Sequence, residues 1–177
     1  MSAIALATLL VVVATGCGKS ASPEEKWASS VCTTFGDWKD QMQNSVDGIR
    51  TQLQSPQQGM LTTIQSEAQS ALDATNKLAS ELKSLPPLNN DQGVQAKQEL
   101  DTFATQAQTA VNEAKTTLAN LSATDGIAQI AQALAPLGSK LTSLATQAST
   151  TLSSVQEAGS SVRQGFQDAD SCEQFRR

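Results

Sequence analysis

Histidine is absent from the 177 residues, and with it go the commonest general base at neutral pH and the commonest metal ligand. Charge is scarce too. Asp, Glu, Lys and Arg make up 16% of the chain, which carries a net charge of −5. The 12 basic residues are scattered singly apart from Arg176 and Arg177, so the clustered cations that a phosphate backbone needs are missing and nucleic acid is excluded as a partner. Aromatics are 3% of the chain: Trp27, Phe35, Trp38, Phe103, Phe166 and Phe175. No segment alternates apolar and polar residues with the two-residue period of a strand, which removes β architectures. No Gly-x-Ser-x-Gly elbow is present, and no histidine exists to activate a serine. The carboxylate pairs Asp37 with Asp40 and Asp168 with Asp170 read as solvated faces, compensated by Lys39 and Arg163, rather than as acid-base machinery. The chain is therefore expected not to be an enzyme and to use no metal or cofactor.

What is present begins with an address. Residues 3–15, AIALATLLVVVAT, carry no charge and have the length of a signal-peptide apolar region, short of the roughly 20 residues that a membrane-spanning helix needs. The run ends in Ala14-Thr15-Gly16-Cys17, small residues before a cysteine, followed by the flexible Gly18-Lys19-Ser20-Ala21-Ser22. This stretch resembles the lipobox of bacterial lipoproteins, although Ala14 stands where a larger aliphatic residue is more usual. The resemblance covers about the first 20 residues. It implies that the Cys17 thiol receives a diacylglycerol and the leader is cut just before it, giving a cleaved leader over 1–16, a lipidated linker over 17–22 and a folded domain over 23–177. Two acyl chains, at roughly 0.8 kcal/mol per buried methylene, hold such a protein on the extracytoplasmic side of the plasma membrane or cell envelope. Leaders of this kind open with a basic segment and none precedes Cys17, so translation is expected to start upstream of Met1. The Ala/Ser/Thr/Gln-rich body is similar in style to small actinobacterial helical lipoproteins of unknown function, a likeness that transfers no functional residue.

With Cys17 assigned to lipid, Cys32 and Cys172 remain as a pair in an oxidising compartment, where a disulfide is the expected state.

Helix starts recur along the body: Ser22-Pro23-Glu24-Glu25, Ser55-Pro56-Gln57-Gln58, Asn89-Asn90-Asp91-Gln92 after Pro86-Pro87, and Ser122-Ala123-Thr124-Asp125. Apolar residues follow each start at spacings of three and four, as in Trp27, Val31, Phe35, Trp38, Met42, Val46, Ile49 and Leu53. Short connections make successive helices antiparallel, so the predicted fold is all-α, an up-down-up-down four-helix bundle. In that topology the start of the first helix lies beside the end of the fourth, where Cys32 and Cys172 can meet. A fourth helix over 125–170 would be roughly 68 Å long at about 1.5 Å per residue. A kink or break is therefore expected at Ala135-Pro136-Leu137-Gly138, leaving 125–134 as a separate short helix. A homo-oligomeric coiled coil ranks second, because flanking charge pairs are sparse.

If Cys32 is level with Cys172 on antiparallel helices, Trp38 is level with Phe166, and Phe35 and Phe103 fall in the same half. These four residues are read first as bulky core and second as the lining of a small apolar pocket. Across 116–156 the only charged side chains are Asp125 and Lys140, which makes this stretch a candidate contact region for a protein partner. The expected function is a lipid-anchored, non-catalytic interaction module of the envelope. The alternative is a carrier or sensor of a small apolar or lipid-like ligand held between the helices. Replacing Cys17→Ser is expected to abolish incorporation of labelled palmitate; label retained on the variant would remove the lipidation reading.

Overall fold

A computed structural model describes residues 20–55, 59–122 and 127–176, with Ile127 described by its backbone alone. Residues 1–19, and with them the leader and Cys17, lie outside the described residues. The described chain is helical: α1 (Pro23–Gln54), α2 (Met60–Ser84), α3 (Asp91–Ala119), α4 (Ile127–Glu157), α5 (Ser160–Asp168) and a closing 3-10 segment over Asp170–Phe175. Among these helices none is long and apolar enough to cross a membrane.

Local chemistry accounts for most of the boundaries. Ser22 caps α1 with a complete capping box: its hydroxyl accepts from the Glu25 N–H at 3.0 Å, and the Glu25 carboxylate accepts from the Ser22 N–H at 3.3 Å. Asn90 caps α3 by accepting from the Gly93 N–H at 2.6 Å. The start of α2 departs from expectation. Ser55 closes α1, its N–H bonded to the Thr51 carbonyl, and α2 begins at Met60 after Gly59, whose φ of +86° is left-handed. Glycine adopts that conformation without the clash a Cβ brings; Pro56, Gln57 and Gln58 of the expected start lie outside the described residues.

Side-chain pairs fix how the helices run. Trp27 donates to the Pro86 carbonyl and Trp38 to the Thr75 hydroxyl, each at 3.0 Å, so α1 and α2 are antiparallel. Lys83 meets Gln108 at 2.6 Å, linking α2 to α3. Gln92 lies against Gly159 and Ser161 at one end, and Glu113 pairs with Lys140 further along, so α3 and α4 are antiparallel as well. The core divides into two parts along these helices. One, rich in aromatics, gathers Trp27, Phe35, Trp38, Phe103 and Phe166 with Cys32 and Cys172; the other is aliphatic, around Ile64, Leu72, Val111, Leu118, Ile130 and Leu134.

The break in the long fourth segment falls at Ala158-Gly159 and not at Pro136. Helix α4 runs through Pro136 without interruption, and residues 127–134 belong to it. Pro136 and Gln132 are both exposed, so the carbonyl that loses its N–H partner can turn to water, the usual way a helix tolerates an interior proline. At Gly159 an added Cβ would lie 2.0 Å from the end of the Gln92 side chain, so a larger residue there would require Gln92 to swing aside.

Beyond Gly159 the chain folds back along α1. The contacts Glu24 with Gly165, Trp27 with Phe166, Ser29 with Ser171 and Gly36 with Gln174 rise together in number. The tail therefore runs in the same sense as α1, opposite to what an unbroken fourth helix would do. Gly165 permits the approach, since a Cβ there would lie 2.5 Å from the Glu24 carbonyl oxygen. Cys32 and Cys172 are joined as a disulfide with Cα atoms 5.1 Å apart, across 140 positions of sequence. Breaking it with Cys32→Ala and Cys172→Ala is expected to cost about 5 kcal/mol from loop-closure entropy. Urea denaturation measures this, and a loss below about 1 kcal/mol would show that packing alone holds the tail.

Candidate functional site

The foldback leaves one seam of the bundle open. Helix α1 packs chiefly on α2 and on α5, and only lightly on α4. Between α1 and α4 lies a cleft of about 800 Å³, within the range of small-molecule sites. Phe35, Trp38 and Met42 line it from α1, Ala145, Ala148, Ser149 and Leu152 from α4, and Phe166, Gln167 and Phe175 from the tail. Further along the same helices lies a separate pocket of about 120 Å³, lined by Val46 and Ile49 of α1, by Leu137, Gly138, Leu141 and Leu144 of α4, and by core residues of α2 and α3 such as Leu72, Thr75 and Val111. Val46, at 36%, is one of two large hydrophobic side chains left exposed among the described residues. Its exposure follows from the missing closure, since the α1 spacing directs it to a seam that α4 does not fill.

The aromatic side of the cleft is held from behind. The rings of Phe35 and Phe103 are 5.4 Å apart, and Trp38 meets Phe103 edge-on at 6.3 Å, geometries that aromatic quadrupoles favour. Phe103 is not among the residues that line the cleft; it lies behind Phe35 and Trp38, which are themselves nearly buried. The Trp38 indole N–H donates to Thr75 Oγ1, whose own proton goes to the Ala71 carbonyl at 2.8 Å. Both polar atoms are thus satisfied inside the core. Among the described residues no buried side-chain nitrogen or oxygen lacks a partner.

Of the predicted quartet, Phe35, Trp38 and Phe166 share the cleft and Phe103 supports it. The predicted register does not hold. Phe166 packs edge-on against Trp27 at 6.2 Å, and is not level with Trp38, because the tail reverses at Gly159. The lining from α5 and the tail was hidden from sequence reasoning for the same reason. Its signal was available in Gly159-Ser160-Ser161, a turn cluster interrupting the apolar period, but Pro136 is the stronger breaker on paper. The apolar wall from α4 was visible as the Leu141, Leu144, Ala148, Leu152 stripe.

The rim of the cleft is charged. Lys39, Arg163 and Arg176 border it, with Glu157 the one carboxylate among its lining residues. The expected compensation of Asp37 by Lys39 is replaced by Lys77, which lies 4.0 Å from Asp37. Asp168 accepts from Gln164 Nε2 at 2.8 Å. Arg176 is occupied in holding the tail, donating to the Phe166 carbonyl at 3.3 Å and the Ala169 carbonyl at 2.6 Å. Lys39 and Arg163 make no ion pair within the described residues.

The outward face of α4 differs in kind. Ser139, Thr142, Thr146, Thr150 and Ser153 each donate to the carbonyl four residues earlier, a local bond that these side chains make readily in helices. No group of three or more acidic or thiol side chains is placed to hold a metal ion among the described residues. Thr75→Val is expected to destabilise the fold by about 1 to 3 kcal/mol, the cost of a buried donor without an acceptor, and to shift Trp38 fluorescence. Thr75→Ser, which keeps the oxygen, should lose less than half as much in the same denaturation measurement. No protein-family model, curated protein or solved structure matches this chain, so its function is argued from the cleft itself.

Proposed function

We propose that this protein is a lipid-anchored, non-catalytic binding module of the cell envelope that holds an apolar ligand in the cleft between α1 and α4. The cleft carries the reading: about 800 Å³ between α1 and α4, with the nearly buried Phe35, Trp38, Leu152 and Phe166 at its base and polar side chains such as Lys39, Gln43, Ser149 and Gln156 around it. The anchor is Cys17, by the lipobox resemblance, and the disulfide between Cys32 and Cys172 fits an oxidising compartment. The short linker from Cys17 to α1 keeps the protein beside the bilayer, from which an apolar ligand can be taken up or to which it can be delivered.

Contact with a protein partner through 116–156 is the second reading, favoured by the scarcity of charge there. The two separate in one measurement. Ala145 is exposed and lines the cleft, so Ala145→Trp fills it with little risk to the fold. The native protein is expected to enhance the fluorescence of the neutral probe N-phenyl-1-naphthylamine, and the variant to lose most of that enhancement while keeping its circular dichroism. Absence of enhancement with the native protein would reject the cleft as a ligand site and leave the partner-binding reading in its place.

A further inference from the structure

We infer that the pocket of about 120 Å³ between the four long helices is a second binding site, separate from the cleft, for one compact, uncharged, nonpolar molecule no larger than a single hydrocarbon ring. This site stands independently of the ligand reading above, because the pocket and the cleft share no lining residue.

The pocket lies where small side chains face one another. Ala68 and Ala71 on α2, and Ala110 and Ala114 on α3, are three and four residues apart and so share one face of each helix. Gly138 on α4 brings no side chain, and a Cβ there would meet nothing within 4 Å. The two parts of the core meet at this level: Ala71 and Leu144 belong to the aromatic one, Leu72 and Val111 to the aliphatic one. Between these larger neighbours the four alanines and the glycine leave a void that close packing would ordinarily fill.

Polarity restricts what can occupy it. A buried water needs two to four polar partners, and the lining side chains do not supply them. Thr75 is the one hydroxyl among them; it accepts from the Trp38 indole at 3.0 Å and donates to the Ala71 carbonyl at 2.8 Å. Lys140 is the one charged residue, and its ammonium pairs with Glu113. A polar molecule or an ion would give up its hydration there for little in return, whereas a nonpolar one supplies the packing contacts that the void forfeits.

Size and access set the rest. An apolar cavity of about 150 Å³ stays dry and admits one benzene, so a pocket of about 120 Å³ holds one small ring and excludes a fused pair or a long chain. Its α2 and α3 walls are enclosed, with Leu72, Thr75 and Val111 at most 3% exposed. The exposed lining residues, Val46 and Gly138, lie on α1 and α4, which pack only lightly on each other, so the way in runs between those two helices.

The test uses the full chain carrying Cys17→Ser, prepared without detergent, with toluene as the probe and calorimetric titration and urea denaturation as readouts. Toluene is expected to bind and to raise the urea midpoint, as a ligand of the folded state does. Phenol, a ring of similar size that brings a hydroxyl, is expected to bind about tenfold more weakly. Ala110→Leu and, separately, Ala114→Leu fill the pocket; without toluene each should keep or exceed the native midpoint, as cavity-filling changes do, and each should lose the toluene response. Ala145→Trp, which blocks the cleft, should leave toluene affinity within about twofold, and toluene should not displace N-phenyl-1-naphthylamine. A native protein that does not bind toluene, or filling variants that still bind it, overturn the site. If both filling variants lower the midpoint, the void is absent and the inference falls. Equal binding of phenol and toluene overturns the nonpolar assignment. Toluene binding lost in Ala145→Trp places the molecule in the cleft, which overturns the second site and spares the proposed function. Toluene bound by a protein that does not bind N-phenyl-1-naphthylamine supports this site and removes the cleft reading alone.

Discussion

The covalent tie between Cys32 and Cys172 decides the shape of everything around it. Because the tail is held on α1, the space that the last turns of a long fourth helix would take is filled by α5 and the 3-10 segment, running the other way. Helix α4 is then kept from closing on α1 along the rest of its length. The constraint acts on a chain otherwise built for regular packing: α1, α2 and α3 bury Val31, Leu78, Leu82 and Leu100 almost completely. The open seam goes with the foldback of the tail onto α1, and it requires no weakness in the helices themselves.

Small residues make the arrangement possible. Gly159 and Gly165 sit where the tail leaves α4 and where it crosses the start of α1, and each has a neighbour closer than a Cβ would allow. Alanines share the interior with the aromatics: Ala79, Ala96, Ala104 and Ala107 are fully buried in the same core as Phe35, Trp38 and Phe103. Arg176 completes the tail by binding two of its carbonyls, which supports a short segment that has few backbone bonds of its own.

How far the sequence reveals this differs from element to element. The helical class, the capping box at Ser22, the cap at Asn90 and the pairing of Cys32 with Cys172 were all legible, because each depends on neighbours in sequence or on counting cysteines. The break at Gly159 was not. A proline inside a helix announces a fault that an exposed position can absorb, as Pro136 does, whereas a glycine announces nothing until a second helix is known to press on it. The candidate pocket was named from an incorrect register and yet three of its four residues share the cleft. This happened because the aromatics are concentrated in one half of the bundle whichever way the tail runs. Arg163 and Lys39 looked like local charge compensation; only the positions of Lys77 and Gln164 show that Asp37 and Asp168 have other partners.

The hydroxyl ladder on α4 has a consequence for how the molecule meets its neighbours. Since Ser139, Thr142, Thr146, Thr150 and Ser153 turn their protons inward to their own helix, what they show to the outside is mainly lone pairs and methyl groups. Such a surface has little to offer to carbonyls or carboxylates and little charge to attract counterions. It is a poorly adhesive flank, and a molecule that binds there must supply the donors itself.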